Sequence, residues 1–101
     1  MDIARPKAGF ILREPPSFKT ILDSAAKRWP RVHSHWDGIK ERLKITAHRE
    51  GARAAGAGDR VFEAQGDADS GLPTVRVAYR VLGDTVTFVK LDIIDPASVV
   101  L

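Results

Sequence analysis

The stretch "TVRVAYRVLGDTVTFVKLDIID", residues 74–95, decides how this chain folds. Its two halves are rich in β-branched and aromatic residues, and they meet at Gly83-Asp84, a two-residue turn of the kind that joins antiparallel strands. Pairing outward from that turn sets Val81 against Val86, Tyr79 against Phe88 and Val77 against Lys90. The intervening pairs are Arg80 with Thr87, Ala78 with Val89 and Arg76 with Leu91. Strict alternation then gives Val75, Val77, Tyr79, Val81, Val86 and Phe88 to the face that packs under the rest of the chain. Arg76 and Arg80 share the opposite face, on either side of the small Ala78. Two guanidiniums so placed leave room for a planar or tetrahedral anion between them. They equally suit a solvated sheet face that simply carries arginines.

The segments before the hairpin supply what covers its apolar face. "GFILRE" (9–14) holds Phe10, Ile11 and Leu12 and is closed by Pro15-Pro16, which predicts a first strand. Ser17 follows as a candidate N-cap, and Phe18, Leu22, Ala25 and Trp29 recur at helical spacing until Pro30. A second helix is expected from near Ser34, with Asp37 as a weak capping-box partner and Gly51 just past its end. Its stripe of Trp36, Ile39, Leu43 and Ala47 is apolar, while Lys40, Arg42 and Lys44 project elsewhere. The short connection predicts an antiparallel helix pair. "GARAAGAGD" (51–59) reads as a loop, "RVFEAQ" (60–65) as a strand and "GDADSGLP" (66–73) as a turn-rich link. The expected order is β-α-α-β-β-β, an α+β domain with a helical hairpin on a small antiparallel sheet.

Bulk properties narrow the function classes. A chain of 101 residues predicts one domain, 1–101. It has no cysteine, which excludes disulfides, thiolate metal sites and a thiol nucleophile, and suits a reducing compartment. Its apolar runs are too short to span a membrane, and its first residues lack a signal-peptide core, so a cytoplasmic location is expected. The net charge of +3 conceals an uneven distribution. Residues 1–60 carry 13 Lys/Arg against 7 Asp/Glu, and residues 61–101 carry 3 against 6. A basic front half suits an acidic partner such as nucleic acid, or a solvated helical surface.

The layout and the hairpin together resemble the RelE/ParE superfamily of bacterial type II toxin–antitoxin toxins. The residues that carry the resemblance are "RVAYRVLGDTVTFVKLDI", in which Arg76, Tyr79 and Val81 fall on the family's arginine–tyrosine–valine strand. The resemblance implies one of two activities. RelE-like members are endoribonucleases that cut mRNA on the ribosome; ParE-like members inhibit DNA gyrase without nuclease chemistry. Both are neutralised by a cognate antitoxin protein. On the ribonuclease branch the resemblance makes Arg76 the leading catalytic residue, stabilising charge at phosphorus, with Arg80 beside it. Glu63 is a candidate general base or a solvated strand residue. Arg49, Arg53, Arg60, Lys44 and Lys90 are candidates for RNA contact. The family usually continues past the last strand with basic and Tyr or His residues; here "IIDPASVVL" stands instead, which removes a usual general acid. A non-enzymatic protein-binding module on the same fold is the alternative reading. No cofactor is expected.

Three other features point elsewhere or nowhere. His33 and His35 form an H-x-H without a placed third ligand, and His48 is a weak candidate for proton transfer. "DADSG" (67–71) resembles the start of a calcium loop but lacks the later acidic ligands, so a turn is expected. Trp29 and Trp36 sit on apolar stripes and are expected in the core.

Overall fold

A computed structural model describes residues 9–50, 52–53 and 59–96, the side chains of Ala52 and Arg53 excepted. Strand β1 (Ile11–Arg13) leads to helices α1 (Ser17–Ala25) and α2 (Val32–Thr46), then to β2 (Ala52–Arg53), β3 (Arg60–Ala64), a 3₁₀ turn (Ala68–Ser70), β4 (Thr74–Leu82) and β5 (Thr85–Ile94). The strands form one sheet in the order β1-β5-β4-β3-β2. The fold is thus α+β, but the sheet is mixed: β1 runs parallel to β5, with Ile11 beside Thr85 and Arg13 beside Thr87. That corrects the expected antiparallel sheet. A parallel neighbour needs a long crossover, and everything from α1 to β4 intervenes between these two strands. A two-residue strand, β2, also lies within the segment expected to be a loop.

Gly9 makes the entry to β1. Its φ is +81°, and a Cβ there would lie 3.1 Å from the Lys44 carbonyl oxygen, which accepts a hydrogen bond from the Phe10 amide at 2.7 Å. Only glycine lets the chain pass this close to the end of α2.

Both helices begin differently from expectation. Pro16 occupies the cap position of α1 and Ser17 is already helical, while α2 starts at Val32 after Arg31; neither end has a side-chain cap. The earlier start of α2 carries Val32 into the core, fully buried. Asp37, freed from a capping role, faces Lys40 at 3.5 Å. Helix α1 ends at Ala25, and a turn carries the chain on to Trp29, whose amide still reaches the Ala25 carbonyl. Helix α2 ends at Thr46 with Ala47 as its cap, so the expected stop at Gly51, itself outside the described residues, comes too late.

The core lies between the helices and one face of β3–β5. Trp36, Ile39 and Leu43 of α2 and Ala47 at its C-cap are all buried, as their spacing predicts, with Val75, Val77, Tyr79, Val86 and Phe88 in the same core. Trp36 sits at the centre, 5.1 Å from the Phe88 ring and 5.8 Å from that of Phe18. Its indole Nε1 donates to Glu14 at 3.0 Å, which satisfies the one polar atom of an otherwise apolar side chain. Trp29 is half-buried at the edge of the same cluster.

The hairpin turn is as expected. Of the two turn residues only Gly83 has positive φ, +60°, which selects the type II′ pattern over type I′, where both need it. Val81–Val86, Arg80–Thr87 and Tyr79–Phe88 pair as alternation predicts, and then the register slips. Ala78 faces Lys90 rather than Val89, Val77 faces Leu91, and Arg76 faces Asp92. Val89 is the extra residue of a β-bulge. An unbroken ladder would put Lys90 in the core face and Leu91 in water; the bulge leaves Val89 and Lys90 both exposed and turns Leu91 inward.

Candidate functional site

The helices cover one face of the sheet and leave the other open, and the candidate residues divide between the two. On the open face, Arg76 of β4 stands in register between Glu63 of β3 and Asp92 of β5. Its Nε and Nη2 both donate to Glu63 Oε1, at 2.9 and 2.7 Å. Gln65 donates to the other oxygen of Glu63. Four residues further along β4, Arg80 Nε donates to Asp59 Oδ1 at 2.8 Å. Lys90 lies on the same face, 4.0 Å from Asp92.

The expected anion site is changed in two ways. Positions 76 and 80 are four residues apart, about 13 Å along a strand, and their guanidiniums turn to different carboxylates and not toward one another's anion. Each also already has an anionic partner. Glu63 has both oxygens engaged, Oε1 by Arg76 and the other by Gln65, and the charged bonds from Arg76 favour its ionised form and weaken it as a base. Asp59 and Asp92 had no place among the sequence candidates. Strand pairing places them: Asp92 of β5 stands opposite Arg76, and Asp59, one residue before the Arg60–Tyr79 pair, reaches Arg80.

The remaining candidates sit away from this face. Arg60 stands beside Tyr79 in the register and its Nη1 donates to the Glu50 carbonyl at 3.2 Å, at the end of α2. Arg49 is exposed nearby, and Lys44 is exposed on α2, 3.9 Å from Glu41. Arg53 pairs with Arg60 through the backbone of β2, and its side chain lies outside the described residues. The structure therefore separates Arg76, Arg80 and Lys90 from Lys44, Arg49 and Arg60 instead of forming one basic track.

Tyr79 is a core residue. Its hydroxyl points at the carbonyls of Ala47 and Glu50, at 2.9 and 2.7 Å, and so ties β4 to the end of α2. Burial pushes its pKa up to about 12, against the pull of nearby Arg60.

The histidines do not converge. His33 Nε2 lies 3.1 Å from Asp23, His48 packs on Phe10, and His35 turns toward β3. Among the described residues no three metal-ligating side chains come together. In "DADSG" the Asp67 carboxylate accepts from the Asp69 amide and the Ser70 hydroxyl, an Asp-capped turn as expected.

His35 Nε2 is buried with no hydrogen-bond partner, in a small cavity lined by Ser34, Ile39, Arg42 and Phe62. Burial holds its pKa below the ordinary 6.5; a bond to Pro73 opposes the shift and Arg31 adds to it. An unfolded chain binds this proton near 6.5, the folded chain only at lower pH. Stability from this site is therefore full above 6.5 and declines as the pH falls below it. Urea midpoints of the wild type should drop between pH 7.5 and pH 5 by more than those of His35→Gln, with His33 and His48 common to both.

A second concavity lies between α1 and β5. It encloses about 720 Å³ and is lined mainly by Ile21, Ala25, Trp29, Leu91, Ile93 and Ile94. Because β1 covers β5 only at residues 85–87, the edge of β5 beyond them has no strand partner among the described residues. Arg28, which also lines the concavity, grips Asp95 just past the end of β5. No helix of the described residues is long and apolar enough to cross a membrane.

No family model, no curated protein and no solved structure matches this chain.

Proposed function

We propose that the chain is a RelE/ParE-type toxin domain of the cytoplasm that acts by binding RNA, on or off the ribosome, through the open face of its sheet. The reading is supported by the element order, a strand and two helices ahead of an antiparallel β3-β4-β5 unit, and by the "RVAYRV" strand. One observation carries it: Arg76 and Arg80 stand extended on the face that no helix covers, each side chain half-exposed. Guanidiniums held extended by hydrogen bonds lose little freedom when they grip phosphate. The proposal stops at binding. Glu63, the carboxylate that Arg76 grips, is also held by Gln65, and the reading needs no cleavage step. A cognate antitoxin is the expected partner.

Induced expression of the chain without an antitoxin should arrest growth, and the protein should co-sediment with ribosomes or bulk RNA. Arg76→Ala/Arg80→Ala should lose both effects while keeping the wild-type melting temperature within a few degrees. Retention of full co-sedimentation by that variant would sink the reading. Primer extension on cellular transcripts is expected to show no new cuts.

A second reading, a protein-binding toxin, rests on the apolar cavity between α1 and the uncovered edge of β5. An extended segment of a target protein fits such an edge. Growth arrest with double-strand DNA breaks, unchanged by Arg76→Ala/Arg80→Ala and abolished by Trp29→Ser/Ile93→Ser, would favour it.

A further inference from the structure

We propose that Asp59 and Glu63 occupy the phosphate positions of Arg80 and Arg76, so that the open sheet face is a masked site for a phosphodiester chain. The inference rests on the RNA-binding reading and adds to it a ligand geometry and an internal competitor.

Three observations carry it. First, both arginines are held by carboxylate oxygens in bonds of the length and kind that a phosphate oxygen would make: 2.9 and 2.7 Å for Arg76, 2.8 Å for Arg80. Second, neither grip is complete. Arg76 places two nitrogens on one oxygen of Glu63, and Arg80 commits only Nε to Asp59. A fork-to-fork pair would use two oxygens, so donors remain on both guanidiniums that a phosphate can take. Third, both guanidiniums reach water. Arg76 and Arg80 are each half-exposed and Glu63 is a third exposed, while Asp59 is more enclosed at 16%; surface pairs of this kind add little net strength, and a polyanion that releases counterions on binding can displace them.

The spacing selects the ligand. Two sites about 13 Å apart on one strand, each turned to its own carboxylate, suit separate phosphates better than one inorganic phosphate or mononucleotide. They suit a chain that presents phosphates at intervals, and the flat, uncovered face suits a single strand. Asp92, in register on the other side of Arg76, and Lys90 beside it balance one another and leave the masking pair to set the local charge.

The test is anisotropy of a labelled oligouridylate over a salt series with the full chain. Asp59→Asn/Glu63→Gln should bind roughly tenfold more tightly than wild type at low salt. Asp23→Asn/Asp69→Asn, which removes the same charge from other surfaces, should gain at most about threefold. Adding Arg76→Ala/Arg80→Ala to the unmasked protein should abolish the gain. If unmasking does no more than the charge control, masking is wrong. The RNA-binding reading then survives only if Arg76→Ala/Arg80→Ala still weakens the wild type. If no variant binds RNA, both fall.

Discussion

Gly66→Ala should cost this protein about 3 kcal/mol or more, enough to leave a marginally stable domain largely unfolded at ambient temperature. The reason is a close approach between backbones. A Cβ at residue 66 would lie 2.3 Å from the Pro73 carbonyl carbon, 2.4 Å from the Leu72 oxygen and 2.5 Å from the Thr74 nitrogen. None of these can swing aside as a side chain would. To admit the methyl group, the link between β3 and β4 must open. That breaks the bond from the Gly66 amide to the Thr74 hydroxyl, 2.9 Å long and half-buried. The same link sets the register of β3 on β4, and so places Glu63 against Arg76. A useful control is the same exchange in α2. Gly38 is exposed and helical, and a methyl group there would meet nothing within 4 Å. Gly38→Ala should raise stability by about 0.5–1 kcal/mol through helix propensity. Thermal melts of the two variants should move in opposite directions. A melting temperature for Gly66→Ala within a few degrees of wild type would show that the link opens at little cost.

What the sequence showed and what it hid follow from the range of the physics involved. The Gly83-Asp84 turn, the three pairs nearest it and the buried stripe of α2 depend on residues close together in the chain, and all are readable from it. The direction of β1 is not. Phe10-Ile11-Leu12 states only that a strand wants burial, and its neighbour is set by a crossover of more than sixty residues. Residue type suggests helix caps at Ser17 and Ser34, whereas the chain enters each helix without a side-chain cap. The outward direction of Arg76 and Arg80 is readable from alternation; their carboxylate partners are not. Those partners come from Asp59 and Glu63, whose positions depend on how the 66–73 link closes. An arginine on an open sheet face reads as a free cation until the neighbouring strand's register is known. Here that register turns an expected vacant anion site into a filled one.

The bulge at Val89 makes the largest correction to the hairpin, and it separates two registers that substitutions can tell apart. Leu91 is 5% exposed and faces Val77, while Lys90 has 73% of its side chain in water. Leu91→Lys should therefore cost about 4 kcal/mol or more, through lost apolar burial and a charge with no partner in the core. Lys90→Ala should stay within about 0.5 kcal/mol. An unbroken ladder demands the reverse ranking. Deletions test the same point more severely. Val89 has no counterpart on β4, so its removal leaves Phe88 facing Tyr79, Lys90 facing Ala78 and Leu91 still inward. That variant should fold, within about 1–2 kcal/mol of wild type. Deleting Thr87, which is paired with Arg80, instead turns Phe88 out of the aromatic cluster and should cost at least the roughly 3–5 kcal/mol of a lost core aromatic. Urea denaturation of the two deletions compares them directly. Equal damage from both would mean that Val89 is an ordinary rung of the ladder, and that Lys90 reaches solvent by some other route.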